Sequence, residues 1–434
     1  MSVTAKYPAI EGTNVADLTL SSSARHQIFL YLGVLIVLLT FGAPGGGLIE
    51  IPISFFLKNR LHLDAHEVAE FRLVAAIPLY LSFVFGFIRD MWDPIGMRDR
   101  GFILLFGAAT AGLYVVFAFT PTTYTTLLVA VLLLTTSFLF VSSAQNGLMS
   151  TIGQQHQISG QISAAWNVFA SIPSVAALLI GGHLSGLLEG RNAEQAAHML
   201  FLLGAAIMAA VAAYAAWKPA SVFNNVRPER APDARPIDDL KRLARHWPVY
   251  PALLIWLLWN FAPGSATPLQ YYLQDVLQAT DAQWGQWNAI FAASFIPTFM
   301  VFGFLAKKLP LKALLLWGTV VAIPQMIPLL FIHSVTGALI AAVPMGLMGG
   351  VASAAYLDLI IRSCPRGLQG TTLMMSGSLF VVASRFGDVL GTSLYDHYGN
   401  FSVCVAAITV VYALILPMLL LVPGDLTATA DRQS

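Results

Sequence analysis

Residues 86–102 read Gly-Phe-Ile-Arg-Asp-Met-Trp-Asp-Pro-Ile-Gly-Met-Arg-Asp-Arg-Gly-Phe. This stretch holds three arginines and three aspartates, and apolar runs flank it at 73–88 and 102–119. A charged hairpin between two such runs is typical of a cytoplasmic loop between membrane spans. A solvated hairpin with no further role is the simpler interpretation of the same charges.

Composition agrees with a membrane protein. Of the 434 residues, 57% are hydrophobic and 10% are charged, whereas soluble domains carry about 25% charged residues. The net charge of +1 gives no reason to expect nucleic acid as a partner. The two cysteines, Cys364 and Cys404, have no CxxC partner and no nearby histidine cluster, so no metal site and no cofactor are predicted.

Cutting the chain into apolar stretches of about 20 residues predicts an all-α membrane protein with twelve spans. The predicted spans are 28–49, 71–89, 101–119, 124–147, 163–189, 196–217, 249–273, 284–306, 311–333, 335–361, 368–394 and 401–423. Residues 1–27 lack the apolar core of a signal peptide, so the first span is expected to stay as an uncleaved anchor.

The distribution of lysine and arginine predicts the orientation. With both termini in the cytoplasm, eighteen of these residues fall in cytoplasmic segments and four in outside segments, while Arg385 lies within a span. This bias follows the positive-inside rule for the cell (inner) membrane.

Two six-span halves are predicted, 28–217 and 249–423, joined by a polar linker at 218–248. Residues 1–27 and 424–434 form cytoplasmic segments. The halves repeat: Ala-Pro-Gly at 43–45 recurs at 262–264, and Gly160 and Gly181 are spaced like Gly370 and Gly391. A parallel repeat of six spans is how the major facilitator fold is built, with the substrate site near mid-membrane between the halves.

The hairpin resembles the loop between the second and third helices of the major facilitator superfamily. The resemblance rests on Gly86-x-x-x-Asp90 followed by Gly96, Arg98 and Arg100. It implies that Asp90, Arg98 and Arg100 latch the cytoplasmic ends of helices together. Asp358 and Arg362, four residues apart at the end of span ten, are a second candidate latch or a structural ion pair.

Other stretches resemble the folate-biopterin transporter family. They are 55–68, 262–273, 305–315 and the Cys-Pro-Arg-Gly-Leu-Gln-Gly-Thr sequence at 364–371. The resemblance implies a pterin-like, folate-like or otherwise anionic substrate. The chain departs from that family at 142–148, which holds no carboxylate, and at Gln369, where the family favours glutamate.

Charged and polar residues inside spans are functional candidates because burying them in a membrane is costly. Arg385 and Asp388 lie on one face of span eleven and are expected to form an ion pair. The arginine would hold an anionic group and the aspartate would accept a coupling proton. A structural ion pair to another helix is the alternative.

Further candidates for substrate binding or coupling lie in spans one, four, five and seven. They are Glu50 beside the glycine-rich break 45–47, Gln145, Asn146, Asn167, Trp256 and Asn260. Bonds between helices or an aromatic belt would also explain such residues, and an acid near the interface is often only solvated.

These features predict a secondary active transporter that moves a small organic solute by alternating access, coupled to protons, and that works as a monomer. The chain has no Walker-type ATP-binding loop and no nucleophile–base grouping at membrane depth, so neither a primary pump nor an enzyme is expected. A receptor or sensor that does not transport is the alternative on the same scaffold.

Overall fold

The structure is a computed structural model that describes residues 21–45, 47–49, 53, 57, 61, 65–188, 193–223 and 236–431. Within these ranges all regular structure is helical. Eight helices are long and apolar enough to cross a membrane, and two shorter ones, His198–Tyr214 and Val249–Asn260, are also apolar. The predicted all-α membrane fold is confirmed.

The helices follow the predicted spans, which we number 1 to 12. Spans 1 to 6, the first half, contain Ser22–Gly42; Ala65–Ala75, Ile77–Tyr80 and Ser82–Met91; Arg98–Ala118; Tyr124–Gln155; Ser159–Leu188; and Ala193–Tyr214. Spans 7 to 12, the second half, contain Val249–Asn260 and Thr267–Tyr271; Asp281–Leu305; Leu311–Ala322; Val335–Ser363; Gln369–Tyr398; and Phe401–Met418. A further helix, Pro236–Arg245, lies within the predicted linker.

The repeated Ala-Pro-Gly sequence interrupts the first span of each half. Span 1 ends at Gly42, directly before the first copy. Span 7 ends at Asn260 and resumes at Thr267. Gly264 has φ +102°, and a Cβ there would overlap the side chain of Cys404 in span 12. The backbone therefore needs glycine at this point both for its conformation and for its close packing.

The two halves come into close contact where span 2 meets span 11. A Cβ added to Gly86 would lie 2.7 Å from the carbonyl carbon of Gly370. Four residues before Gly86, the Ser82 hydroxyl bonds to the Met374 carbonyl oxygen at 2.7 Å and to the Ser378 hydroxyl at 2.8 Å. The glycine of the 86–102 stretch therefore allows backbone-to-backbone contact between the halves.

Substituting Gly86 with alanine should destabilise the protein because the new methyl group must push span 11 away. Overpacking of this kind costs about 1–3 kcal/mol, so thermal unfolding in detergent should shift to lower temperature. Gly112→Ala in span 3 is the matched control, since nothing lies within 4 Å of a Cβ there. Equal unfolding temperatures for both variants would contradict the close contact.

Candidate functional site

Polar contacts between the halves concentrate on one side of the molecule. We call this side the latch face; it carries the connections 92–97, 156–158, 306–310 and 364–368. At the latch face, spans 5 and 11 begin, and the backbone N–H groups at the start of a helix have no partner within that helix. Each of these two helix starts receives a carboxylate from the opposite half.

The first latch joins span 2 to span 11 through Asp90. One carboxylate oxygen of Asp90 accepts from the Gly370 N–H at 3.2 Å. The other accepts from the Thr371 N–H and from its hydroxyl, both at 2.6 Å. No side chain of span 11 itself caps this helix start. Asp90 therefore supplies a cap from the other half.

Arg89 completes the first latch. Its guanidinium pairs with Asp90 at 2.6 Å and with Asp99 at 2.5 Å. It lies over Gly147 of span 4, where a Cβ would fall 2.6 Å from a guanidinium nitrogen. The Arg89 side chain is 10% exposed and that of Asp90 is fully buried. One guanidinium pairs with both carboxylates and offsets part of their negative charge.

The predicted arginines of the first latch occupy different places. Arg100 donates to the carbonyl oxygens of Ala215 at 2.7 Å and Ala216 at 3.1 Å, so it caps the end of span 6 within its own half. Arg98 is exposed, and its backbone N–H donates to Asp93. Arg89 forms the latch instead because it lies on span 2 itself, next to Asp90.

The second latch joins span 10, span 5 and the segment that follows span 12. Arg362 pairs with Asp358 at 2.9 Å and with Asp431 at 2.9 Å. Asp431 accepts from the N–H groups of Gly160 at 3.3 Å and Gln161 at 2.9 Å. Gly160 and Gly370 are the repeat-related positions found in the sequence. The two halves therefore cap each other at equivalent helix starts.

An amide bridge lies between the two latches. The Gln154 side-chain nitrogen donates to the carbonyl oxygens of Ile361 at 2.7 Å and Cys364 at 2.8 Å. Gln369, which stands where the resembled family favours glutamate, donates to the Gln154 side-chain oxygen at 3.1 Å. Gln154 thus holds spans 10 and 11 against span 4.

Among the described residues, hydrogen bonds between the halves lie within about three helical turns of the latch face. The innermost ones reach Ser378 in span 11, Asn146 in span 4 and Ala354 in span 10. Three turns correspond to about 16 Å, roughly half of the apolar thickness of a bilayer. The molecule is therefore closed at the latch face.

A cavity of about 240 Å³ lies beyond these contacts, on the side away from the latch face. Its wall includes Pro44 and Gly45 at the break after span 1, Arg72 and Leu79 of the second span, and Arg385 of span 11. Arg385 is exposed, and it stands sixteen residues, or about 24 Å, from the start of its helix. The cavity thus places a guanidinium in the outer part of the spans.

Arg385 and Asp388 are not ion-paired with each other in the described structure, contrary to the prediction. Asp388 accepts from the Thr267 N–H at 2.9 Å and from the Thr267 hydroxyl at 2.8 Å. Thr267 begins the resumed part of span 7, and its helix has no cap of its own. Thr267, at the interruption of span 7, bonds to both oxygens of Asp388, and no other carboxylate among the described residues pairs with Arg385.

The remaining predicted polar residues do not form one site. Asn260 donates to the Trp256 carbonyl and Asn167 to the Ser163 carbonyl, each within its own helix. The Trp256 indole donates to the Ser376 carbonyl of span 11 at 2.9 Å.

Two predicted residues of span 4 differ in their surroundings. Gln145 is buried, and the sulfur of Met149 lies 3.9 Å from its amide nitrogen. Asn146 reaches the other half, where its amide lies 3.4 Å from the sulfur of Met374. Glu50 lies outside the described residues.

Comparison with known proteins agrees with this architecture. The family described as Major Facilitator Superfamily matches residues 155–392, more than half of the chain. The chain belongs to the Major Facilitator Superfamily. No curated protein sequence matches it.

Two solved structures share this superfamily fold. One is "a Major Facilitator Superfamily (MFS) transporter, FucP, in the outward conformation", with a TM-score of 0.69 and 15% identity, covering 92% of this chain and 99% of that one. The other is "the human organic anion transporter MFSD10 (TETRAN)", with a TM-score of 0.63 and 15% identity, covering 92% and 100%. At this identity the likeness concerns the fold.

Residues that sequence reasoning missed in this superfamily member are Arg89, Asp99 and Asp431. The pair Arg89-Asp90 carried a signal, because both stand at the end of span 2, where a helix meets water. Asp431 carried none, since it follows the last span by several residues in a polar segment. Only the folded chain brings it to span 5.

The first latch can be tested with a native reporter, Cys364. This thiol is buried beside the Gln154 bridge, and burial raises its pKa to about 12, so it is unreactive in the closed form. Asp90→Ala removes the cap of span 11. Maleimide labelling of Cys364, followed by peptide mass spectrometry, should then accelerate at least tenfold.

The matched control is Asp93→Ala in the same loop. Asp93 accepts from the Arg98 N–H and makes no bond across the halves. Its removal should leave Cys364 protected. Equal labelling rates in both variants would show that Asp90 does not hold the latch face closed.

Loss of the Asp388 cap should weaken the resumed part of span 7. Asp388→Ala leaves the Thr267 N–H without its acceptor, at a cost of about 1–2 kcal/mol, and the thermal unfolding temperature should fall. Asp396→Ala, a change to an exposed acid on the same helix, is the control and should unfold like the wild type. An unchanged Asp388→Ala variant would refute the cap.

Proposed function

We propose that this chain is a secondary active transporter that moves a small organic anion across the cell (inner) membrane by alternating access, coupled to protons. The observation that carries the proposal is the asymmetry of the molecule. One face is closed by two latches between the halves, and a cavity with an exposed arginine lies on the other side.

The position of Arg385 favours an anionic substrate. A guanidinium in the outer part of a span is costly unless it faces water or meets a negative group. Among the described residues no carboxylate pairs with Arg385, so a bound anion would supply that group. The two-pronged geometry of arginine suits a carboxylate. The resemblance to folate-biopterin transporters makes pterin-like and folate-like compounds the first candidates.

The latches supply the closed gate that alternating access requires. When the halves rock apart at the latch face, Asp90 and Asp431 leave the helix starts of spans 11 and 5, and water replaces them as partners. A substrate that draws the halves together on the cavity side would compensate for this loss. The lysine and arginine bias favours a cytoplasmic latch face, and both termini are expected on that side.

Proton coupling has two candidate carboxylates in the outer part of the spans. Protonation of Asp388 would weaken its bonds to Thr267, so coupling through this residue would act on the interruption of span 7. Glu50 is the other candidate, beside the break after span 1. In the sequence Glu50 stands five residues after Gly45, which lines the cavity, and Asp388 stands three residues after Arg385, which also lines it.

The proposal is tested first by binding. The purified protein should be screened by thermal shift against pterins, folates, small peptides, sugars and amino acids at two pH values. A ligand that binds only the folded state raises the unfolding temperature. An anionic compound should give the shift, and Arg385→Ala should abolish it.

The matched control is Arg98→Ala, which removes an exposed arginine at the latch face and should keep the shift. Flux of the same compound in proteoliposomes then separates a transporter from a receptor. Binding with no flux at any proton gradient would contradict transport. Binding that survives Arg385→Ala would contradict the site.

A further inference from the structure

The two latches obtain their carboxylates from different places. In the first half, Asp90 belongs to the end of span 2 and the loop before span 3. The equivalent connection of the second half, 306–310, reads Ala-Lys-Lys-Leu-Pro and contains no acid. Asp431, from beyond span 12, occupies the position that this connection leaves open, and its N–H donates to the Ala306 carbonyl at 2.8 Å.

Several contacts dock the segment 423–431 against the second half. The short helix Gly424–Thr427 packs on spans 9 and 10. Arg362 donates to the carbonyl oxygens of Leu426 at 3.3 Å and Thr429 at 2.9 Å. The Asp431 side chain is 1% exposed. The segment is therefore clamped by one arginine and inserted at the boundary between the halves.

Two carboxylates in this latch, those of Asp358 and Asp431, have oxygen atoms close to the same position beside Gly160. Asp358 is fully buried; its Oδ1 accepts from Arg362, and its Oδ2 has no hydrogen-bond partner among the described residues. The Oδ2 atoms of Asp358 and Asp431 lie 3.0 and 3.2 Å from the position of a Cβ on Gly160. One guanidinium serves both acids, so the cluster keeps an excess negative charge when both are ionised. An unpaired buried carboxylate oxygen is costly.

We propose that Asp358 and Asp431 form a proton-binding site at which segment 423–431 closes the cytoplasmic gate. A proton taken up by one carboxyl removes the excess charge and is stabilised by the ionised neighbour. The docking contacts are independent of any substrate, and only the consequence for transport rests on the proposed alternating access.

The direction of the pH dependence follows from the docked state. Burial, and next the charge of Asp358, raise the pKa of Asp431 to about 6 from an ordinary value of 3.8, while Arg362 and the Gln161 and Gly160 N–H groups oppose this. A raised pKa in the docked state means that docking takes up a proton. Docking is therefore strengthened as the pH falls from about 7 towards 5, and it is weakest above pH 6.

Other charged groups lie near Asp431 or in its segment. Lys307 follows span 8 and interacts with both Asp431 and Arg25. Arg25, at the start of span 1, contacts the Gln161 side chain. Burial, and next the charge of Arg25, lower the pKa of Lys307, while Asp431 opposes this; arginine keeps its charge between pH 5 and 7.5. In segment 423–431, Asp425 is the other acid, and it is exposed. Asp431 is thus the acid at this latch whose raised pKa makes docking depend on pH.

Docking can be measured with an engineered thiol at Thr427, a residue of the docked segment that is only 4% exposed. The purified Thr427→Cys variant is labelled with a thiol reagent, and so is the Ala428→Cys variant, in which the thiol is at an exposed neighbouring position. The labelling rate of the first variant is then divided by that of the second. The ratio cancels the effect of pH on the thiol. It should rise roughly tenfold from pH 5 to pH 7.5 as docking weakens.

Variants separate the proton site from a simple packing contact. Asp431→Asn, which keeps the acceptor and adds a donor for Asp358, should hold the ratio low at every pH. Asp431→Ala should hold it high at every pH. Asp358→Asn should reduce the slope. Asp425→Asn is the matched control and should keep the slope of the parent protein.

A flat ratio in the parent protein, or an Asp431→Asn variant with an unchanged slope, would overturn the proton site. Protection of Thr427→Cys that persists in Asp431→Ala would overturn the role of Asp431 in docking. These outcomes need no substrate. Failure here is therefore distinguishable from failure of the proposed transport, which the ligand screen and the flux assay report.

Discussion

The closed form depends on carboxylates of one structural unit that bond to the free N–H groups at a helix start in another. Asp90 does this for span 11 and Asp431 for span 5. Both side chains are almost fully buried. A buried carboxylate and an uncapped helix start are each costly without a partner, so neither latch can part until water reaches it.

The two halves reach the same arrangement with different sequences. Each latch contains one arginine between two aspartates, and each touches the glycine at the start of a repeat-related helix. The first latch takes its cap from the end of span 2, whereas the second takes it from the segment after the last span. The repeat thus places a carboxylate at the same position in both halves, although the two carboxylates come from different parts of the chain. The second latch also includes a segment that can dock and release.

Much of the architecture could be predicted from hydrophobic length alone, because a bilayer fixes how long a span must be. The Ala-Pro-Gly interruptions and the close approach at Gly86 were also recognisable in the sequence. Proline restricts the backbone, and glycine allows conformations and close contacts that other residues do not. Pairing of charges could not be predicted in this way. Asp388 serves Thr267 and not Arg385, and Arg89 acts in place of Arg98, because tertiary packing decides which donor is nearest.

The central claim is that latch opening and cavity closing are one motion. Spin labels at Trp92 and Arg366 report the latch face, and labels at Phe119 and Tyr398 report the opposite side; all four residues are exposed. Pulsed electron paramagnetic resonance should show that the double variant Asp90→Ala, Asp431→Ala lengthens the first distance and shortens the second. A latch-face distance that stays unchanged, or two distances that lengthen together, would contradict alternating access through these latches.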